Sequence, residues 1–359
     1  MFKKLDRYII GKFLSTFFFT LGIFIVIAIV FNFSEFVDDF IEKKAPLSEI
    51  IFDYYLNYIP YLSSLLSPLL IFIAVIVFTS KLANNTEIVA ILSGGVSFKR
   101  FLLPYFLVAT MLAIVSFAFN GYITPMANVK RIAFEEVYIK KSFSNKQRNI
   151  HMQLDEETFV YLESYNNSQN IGYKFSLENF KGDTLTYKLL ADRIKWQPEL
   201  NNWRIQNYSV RKIDGLKESL VYARNMDTVI AMKPADFELK DFTIEKMTLG
   251  ELDGYIEKEK LRGTSGVKLY QIEKYRRYAN PIMVYVLVLI GVAVSSRKVR
   301  GGIGLHLGIG IALCAIFIVT FYFSTVFSIK GGLHPMVAVF LPIVIFSILG
   351  LYLVKIAPK

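Results

Sequence analysis

The sequence predicts an integral membrane protein that has six transmembrane helices and a β domain inserted after the third. Three observations predict this fold class. The chain of 359 residues is 53% hydrophobic with a mean hydropathy of +0.40, whereas ordinary soluble domains are about 45–50% apolar. The uncharged residues are collected in six long runs, and a polar stretch from about 130 to 277 separates the third run from the fourth.

Six runs that lack Asp, Glu, Lys and Arg come close to or exceed the ~20 helical residues needed to cross a hydrocarbon core of ~30 Å. They are Phe13 to Ser34, Tyr54 to Ser80, Phe101 to Val129, Tyr278 to Ser296, Gly301 to Ile329, and Gly331 to Val354. The first run follows a basic start, but its apolar core is too long for a cleavable signal peptide and no small-residue cleavage site follows. We therefore expect a retained helix.

The charges of the short loops predict the orientation. With the N-terminus in the cytoplasm, the inside segments carry twelve basic residues against only Asp6 and Glu87, and the outside loop from Glu35 to Asp53 is mostly acidic. Both termini are then cytoplasmic and the polar stretch lies outside. The same placement accounts for much of the net charge of +11 without any nucleic-acid partner.

The middle of the polar stretch predicts β-structure. Residues 158–165 and 173–180 alternate partially with a period of two, and residues 197–202 form a long turn between two short strands. More short strands follow to about residue 231. This spacing is typical of a sandwich or jelly roll.

After the predicted strands, the pattern becomes helical. Residues 248–262 place apolar side chains on one helix face, and a second, basic helix over 268–277 leads into the fourth span. The predicted division is therefore transmembrane helices 1–3 in residues 1–129, the β domain with its flanking helix in 130–265, and transmembrane helices 4–6 in 266–359.

No catalytic constellation is visible in the sequence. His151, His306 and His334 are far apart, and none has the spacing of metal ligands. The glycine pairs belong to no GxxxxGK[ST] run, which excludes that nucleotide-binding loop, and Cys314 has no second cysteine to pair with. We expect no catalytic residue, no bound metal and no cofactor, and any ATP hydrolysis would belong to another chain.

One predicted cytoplasmic segment is unusual because it reads as a short amphipathic helix at about 82–94. Polar residues 84–86 can cap its start, and the glycine pair at 94–95 can end it. Glu87 near its start has two readings that the sequence leaves open. It either stabilises the positive end of the helix or meets a basic group on a cytoplasmic partner.

Three stretches resemble the LptF/LptG (YjgP/YjgQ) family of lipopolysaccharide export permeases. They are Leu5-Asp-Arg-Tyr-Ile9, Thr86-Glu-Ile-Val-Ala-Ile-Leu-Ser-Gly-Gly-Val-Ser97, and Tyr275-Arg-Arg-Tyr-Ala-Asn-Pro281. The layout of three spans, a β insert and three more spans agrees, so the similarity covers essentially the whole chain. The start at Asp6, the Gly308-Ile-Gly310 run and the run from His334-Pro335 to Leu341-Pro342 favour the LptG type.

The resemblance implies a permease subunit in the inner membrane of a Gram-negative cell. Two related permeases would pair with a dimer of a cytoplasmic ATPase, a single-span accessory protein would join them, and the helix near Glu87 would dock in a groove of the ATPase. Lipopolysaccharide would enter a cavity between the permeases and pass through a periplasmic jellyroll to a bridge of similar domains. The candidate ATPase-coupling residues are Glu87, Asn84, Ile88, Ala90 and Ile91.

A cavity for a phosphorylated glycolipid should be apolar within the bilayer and basic at its outer rim. The candidate substrate contacts are Phe24 and Phe31 in the first span and Lys43, Lys44, Lys130 and Arg131 just outside the membrane. The phenylalanines can equally face lipid, and the basic residues can equally be interface anchors. Some LptG-type members carry a lysine for lipid phosphates at the end of the first span, and the matching position here is Glu35.

Two other function classes compete with transport. A membrane-anchored scaffold or sensor with a periplasmic β domain would work without a cytoplasmic ATPase. An intramembrane enzyme acting on lipid would need paired ionisable groups within the spans, where only His306 and His334 are ordinary titratable candidates, both near the ends.

Overall fold

The computed structural model describes residues 4–139, 148–167, 169–237, 244–261, 266–297 and 302–357. The chain divides into two compact units. The first unit, Met1–Phe134 with Lys268–Lys359, is a helix bundle, and the second, Glu135–Val267, contains a β-sheet and short helices. Among the described residues, six helical segments are long and apolar enough to cross a membrane, and the sheet is inserted after the third. The predicted fold class is confirmed in these terms.

The helices are α1 (Lys4–Glu42), α2 (Leu47–Glu49), α3 (Leu56–Asn84), α4 (Glu87–Ser93), α5 (Phe98–Ala118), α6 (Thr124–Tyr138), α7 (Leu249–Leu261), α8 (Val267–Ser295), α9 (Gly302–Gly331) and α10 (Pro335–Ile356). Span 1 is α1, span 2 joins α2 to α3, span 3 joins α5 to α6, and spans 4 to 6 are α8, α9 and α10. The predicted basic helix over 268–277 is the first part of α8 rather than a separate element, because helical periodicity continues through it into the apolar run.

Two π-helical segments, Ile50–Tyr55 and Phe119–Ile123, lie within spans 2 and 3. A π-turn leaves backbone carbonyls without their usual partners, and such groups must be satisfied inside a membrane. Asparagine side chains supply the donors in both segments. The Asn57 amide donates to the Phe52 and Asp53 carbonyls at 2.9 and 3.0 Å, and the Asn120 amide donates to the Ser116 carbonyl at 2.8 Å.

Helix α3 packs against α1, α8 and α9, and glycines allow the close approach. A Cβ atom added to Gly291 of α8 would lie 2.8 Å from Val75 Cγ1 on α3, and one added to Gly310 of α9 would overlap a side chain of α3. Span 5 is therefore closely packed against α3 at Gly310. Gly304 and Gly308 have open space where a Cβ would be.

The inserted unit contains an antiparallel sheet with strand order β1-β2-β3-β4-β5-β6. The strands are β1 (Arg148–Gln153), β2 (Thr158–Asn166), β3 (Ile171–Lys181), β4 (Thr184–Gln197), β5 (Asn202–Asp214) and β6 (Lys217–Thr228). The turn predicted over 197–202 does join two paired strands, because Gln197 is opposite Asn202.

Sequential pairing makes the described strands one meander, where the sequence predicted two packed sheets. Two of its hairpins have two-residue loops, in which glycines adopt the left-handed backbone that such loops require. Gly182 (φ 62°) joins β3 to β4, and Gly215 (φ 59°) joins β5 to β6. The strands are also longer than predicted, so each can bury its apolar side against one shared core.

The core of the sheet lies on one face and is covered by the chain that follows β6. Trp203 is fully buried, and its indole N–H donates to the Met232 carbonyl at 2.9 Å. The ring of Phe237 stacks on Tyr165 with the centroids 4.3 Å apart. Burial raises the pKa of the Tyr165 hydroxyl. A covering segment therefore takes the place of a second sheet here.

Candidate functional site

The helix α4 lies in the connection between spans 2 and 3. Span 2 ends at Asn84, Thr86 adopts a left-handed backbone (φ 61°), and α4 follows over Glu87–Ser93. Gly95 (φ 84°) then turns the chain, and the Ser97 hydroxyl accepts a hydrogen bond from the Arg100 N–H at the start of span 3. The predicted helix over about 82–94 is thus shorter, because residues 82–84 still belong to α3. Thr86 occupies the capping position without a side-chain cap.

One face of α4 belongs to the protein's own core. Ile88 is 1% exposed and lies in the same apolar cluster as Ile9 and Phe13 of α1, and Ile91 packs against that cluster. The opposite face is open, since Val89 is 57% exposed and Ala90 is exposed. An exposed valine and alanine on a helix that is anchored from behind form a surface suited to a partner. We call Val89 and Ala90 the outer face of α4.

Glu87 is held by two neighbours. The Tyr8 hydroxyl on α1 donates to Glu87 Oε2 at 3.0 Å, and the Asn85 amide donates to Oε1 at 3.1 Å. A carboxylate has about four acceptor positions, so each oxygen keeps room for another donor. Glu87 can therefore be oriented from within the chain and still meet a cation outside it.

A second acidic group ties α1 to α5 beside α4. Asp6 is 1% exposed, and its two carboxylate oxygens accept hydrogen bonds from the two terminal nitrogens of Arg100, both at 2.7 Å. This bidentate arrangement fixes orientation as well as distance. The sequence analysis missed the roles of Asp6, Tyr8 and Arg100. Its one signal was that Asp6 and Glu87 are the two acids among the basic loops.

Four of the five candidate coupling residues lie on α4, and the structure assigns them different places. Glu87 and Ala90 are accessible, Ile88 is in the core, and Ile91 is half-buried. Asn84 is half-buried at the end of α3. Ile88 and Ile91 therefore hold the helix to the spans. The exposed Val89, which the sequence analysis did not single out, lies on the outer face.

The candidate phosphate contacts lie at the end of the bundle away from α4. Lys44 is exposed where α1 ends, Lys43 is half-buried next to it, and Lys130 is exposed on α6. The outer ends of spans 1 and 3 adjoin, because the rings of Phe40 and Phe134 are 5.8 Å apart. Basic side chains from two spans are thus brought to one end of the bundle.

Arg131 differs from these lysines because it is directed into the protein. It is buried, its Nε–H donates to Asn128 Oδ1 at 2.9 Å, and its guanidinium lies 4.1 Å from the centre of the Tyr61 ring. Hydrogen-bond and cation–π contacts of this kind hold the side chain in place. The expectation that Arg131 meets lipid phosphate is therefore not supported by its position, and Lys130 is the accessible member of the pair.

Phe24 and Phe31 are exposed on α1, in a stretch where no residue is fully buried. Below them, Ile9, Phe13 and Phe17 are buried at helical spacing. Above them, the next buried residue of α1 is Phe40. Span 1 therefore has buried residues near both ends and only exposed or half-buried residues between them. Span 5 also has a largely exposed apolar surface, including Ile316, Val319, Tyr322, Phe323 and Phe327.

The sheet of the inserted unit is bent along one row of residues on the face opposite its core. Lys174 (φ 52°) and Asn207 (φ 50°) have left-handed backbones and flank Asp192 in one row across the strands. Such irregularities bend a sheet. A trough of about 650 Å³ lies along this bend. Its lining includes Tyr161, Leu190, Tyr222, Lys174, Asp192 and Arg224.

Six spans, a β domain inserted after the third and a short helix between spans 2 and 3 define the class of protein as a polytopic membrane protein with the layout of a transporter's membrane subunit. A family model described as the lipopolysaccharide export system permease LptF/LptG matches residues 7–356. The chain belongs to this family of inner-membrane permeases. The match does not separate LptF from LptG, so the LptG type stays a prediction. No curated protein matches the chain.

Proposed function

We propose that this chain is one of two permease subunits of an ATP-driven exporter that takes lipopolysaccharide from the inner membrane and passes it to a periplasmic bridge. Family membership supports export of this lipid. The observation that carries the ATP-driven part is the geometry of α4, a helix anchored by a buried isoleucine that presents an open face between two spans. The chain itself acts as a transporter subunit, and a separate cytoplasmic ATPase hydrolyses the nucleotide.

The outer face of α4 is the proposed contact with the ATPase. Val89 and Ala90 would pack against an apolar groove, while Glu87, oriented by Tyr8, would meet a basic residue of that groove. Substitutions on the outer face leave the internal contacts of Ile88 intact. They therefore separate docking from folding better than a substitution of Glu87, which also breaks two hydrogen bonds inside the chain.

The test is co-purification from native membranes in mild detergent. The wild-type chain should bring down an ATPase and a second permease, and Ala90→Arg and Val89→Asp should lose the ATPase while keeping the wild-type melting temperature. Val229→Asp is the matched control, because Val229 is 81% exposed but belongs to the inserted unit. Recovery of the ATPase with both α4 variants would contradict the docking proposal. Its absence from the wild type would favour the scaffold.

The exposed middle of span 1 and the exposed side of span 5 are the proposed lipid-facing surfaces. Their apolar side chains suit acyl chains, and Lys43, Lys44 and Lys130 suit the phosphates of the head group at the outer rim. A photoreactive residue in place of Phe31 should cross-link to lipopolysaccharide, and the same residue in place of Phe13 should not. Equal labelling at both positions would contradict this path.

The inserted unit is proposed to lie in the periplasm with both chain termini in the cytoplasm, as the loop charges predict. The trough on the sheet combines apolar side chains with Lys174 and Arg224, which suits a lipid with an anionic head. Strand β6 is an edge of the sheet, and its side chains are almost all exposed. An exposed edge can add a strand from a partner sheet, so β6 is the proposed junction with the bridge.

A further inference from the structure

An ATPase docked on α4 would move this helix when it hydrolyses ATP. The movement would then have to pass from α4 to one of the spans that contact it. Spans 2 and 3 are joined to α4 by the chain, but both junctions contain left-handed residues, Thr86 and Gly95, that interrupt the helices. Neither span continues into α4 as a rigid rod. Side-chain contacts are therefore the more direct link between α4 and the bundle.

The side-chain contacts converge on the first turns of span 1. Tyr8 donates to Glu87 of α4, and Asp6 forms the bidentate pair with Arg100 of α5. Asp6 and Tyr8 are two residues apart, so together they hold the same helical turn from two sides. Ile88 of α4 adds a contact in the apolar cluster that contains Ile9. Span 1 thus touches α4 through a polar and an apolar contact.

Span 1 also has the freedom to respond. Between Phe17 and Phe40 every residue of α1 is exposed or half-buried, and its contacts there include hydrogen bonds from Tyr54 and Tyr55 to Asn32. The apolar windows of spans 2 and 4 are buried over about half of their length. A continuous helix held firmly at one turn transmits a tilt of that turn along its length. A small displacement of α4 would therefore change the position of the exposed middle of span 1 before that of any better-packed span.

We propose that Asp6, Tyr8 and Arg100 are positioning residues that make span 1 the element through which movement of α4 reaches the membrane. The inference rests on the proposed function, since it needs an ATPase docked on α4. It assigns a role to the first turns of span 1 that is distinct from lipid contact. The planar fork of Arg100 matters here, because a lysine would keep the charge but not the fixed geometry.

The experiment uses the purified complex of the chain with its second permease and ATPase in proteoliposomes. Tyr8→Phe removes one hydroxyl, Arg100→Lys keeps the charge without the fork, and the double variant combines them. Tyr352→Phe is the control, because Tyr352 is an exposed tyrosine near the end of span 6. Four quantities are measured for each: ATPase recovered, melting temperature, ATP hydrolysed, and lipopolysaccharide transferred per ATP.

The double variant should keep the ATPase and ATP hydrolysis and lower the melting temperature by only a few degrees, while lipid transferred per ATP falls about 25-fold, since each of the two lost hydrogen bonds contributes a factor of about five. Spin labels at Ser93 and Val30 should show a nucleotide-dependent distance change in the wild type that is lost in the double variant. A purely structural role would lower the melting temperature and leave lipid transferred per ATP unchanged.

Unchanged transfer per ATP in the double variant, with the ATPase bound, would overturn the inference and leave the proposed function intact. A wild-type complex that binds no ATPase or transfers no lipid would overturn the proposed function and the inference with it. The two failures are therefore distinguishable within one set of measurements.

Discussion

The two halves of span 1 differ in what they contact. Near α4, Ile9, Phe13 and Phe17 are fully enclosed by the chain's own helices, and Asp6 is paired. From the next turn to Phe31, no side chain is fully buried, and Phe18, Phe19, Phe24 and Phe31 are exposed. Composition is nearly constant along this helix, so the difference arises from its neighbours. Hydrophobicity places span 1 in the bilayer, and packing decides which half belongs to the fold and which half remains for a lipid or a partner.

The largest expected effect tests this contrast directly. Phe13→Ala should lower the free energy of unfolding by about 3 kcal/mol, because it opens a cavity in a closed core. Phe31→Ala should change the free energy of unfolding by less than about 0.5 kcal/mol, since Phe31 is 72% exposed and its truncation removes few contacts within the chain. Thermal unfolding in one detergent measures both. Equal losses would mean that the middle of span 1 is packed within the single chain.

A smaller effect extends the contrast to spans 4 and 5. Gly291→Ala should destabilise the bundle by about 1–2 kcal/mol, because the added methyl meets Val75 across a close helix contact. Gly308→Ala, where the methyl enters open space, should be neutral or slightly stabilising, since alanine favours a helix over glycine. The same unfolding measurement compares them. A neutral Gly291→Ala would show that α3 and α8 are not in tight contact.

The smallest effect concerns the inserted unit, where Asp155, whose carboxylate is hydrogen-bonded, can be compared with the exposed Asp183. The Asp155 carboxylate accepts the N–H groups of Glu157 and Thr158 at 3.0 and 2.8 Å, and these bonds lower its pKa. A lowered folded-state pKa gives stability that is present above the unfolded pKa of about 4 and is lost as the pH falls through the folded-state pKa. Asp155→Asn should therefore flatten the acid side of the stability profile.

Tryptophan fluorescence can follow this prediction in the intact protein. Both tryptophans, Trp196 and Trp203, lie in the sheet, so the signal reports the inserted unit alone. Asp183→Asn, in the exposed turn after β3, is the control and should leave the pH profile unchanged. A profile for Asp155→Asn identical to that of the wild type between pH 5 and 3 would refute the role of this turn.

The sequence predicted the six spans and the inserted β domain because long uncharged runs and period-two alternation are local signals. It did not predict that Asp6 pairs with Arg100, since residues 94 positions apart are brought together by packing alone. It did not predict the burial of Arg131 for a related reason. A basic residue at a membrane boundary is usually exposed, and the contacts that bury this one come from Asn128 on the same helix and Tyr61 on another span.

The large separation between Asp6 and Arg100 also bears on how the protein is made. When the first span leaves the ribosome, the arginine that will pair with Asp6 has not yet been synthesised. The Asp6–Arg100 pair can therefore form only once the start of the third span has been made. Insertion of the first helix and its final attachment are thus separate events in biosynthesis, ordered by the position of one arginine.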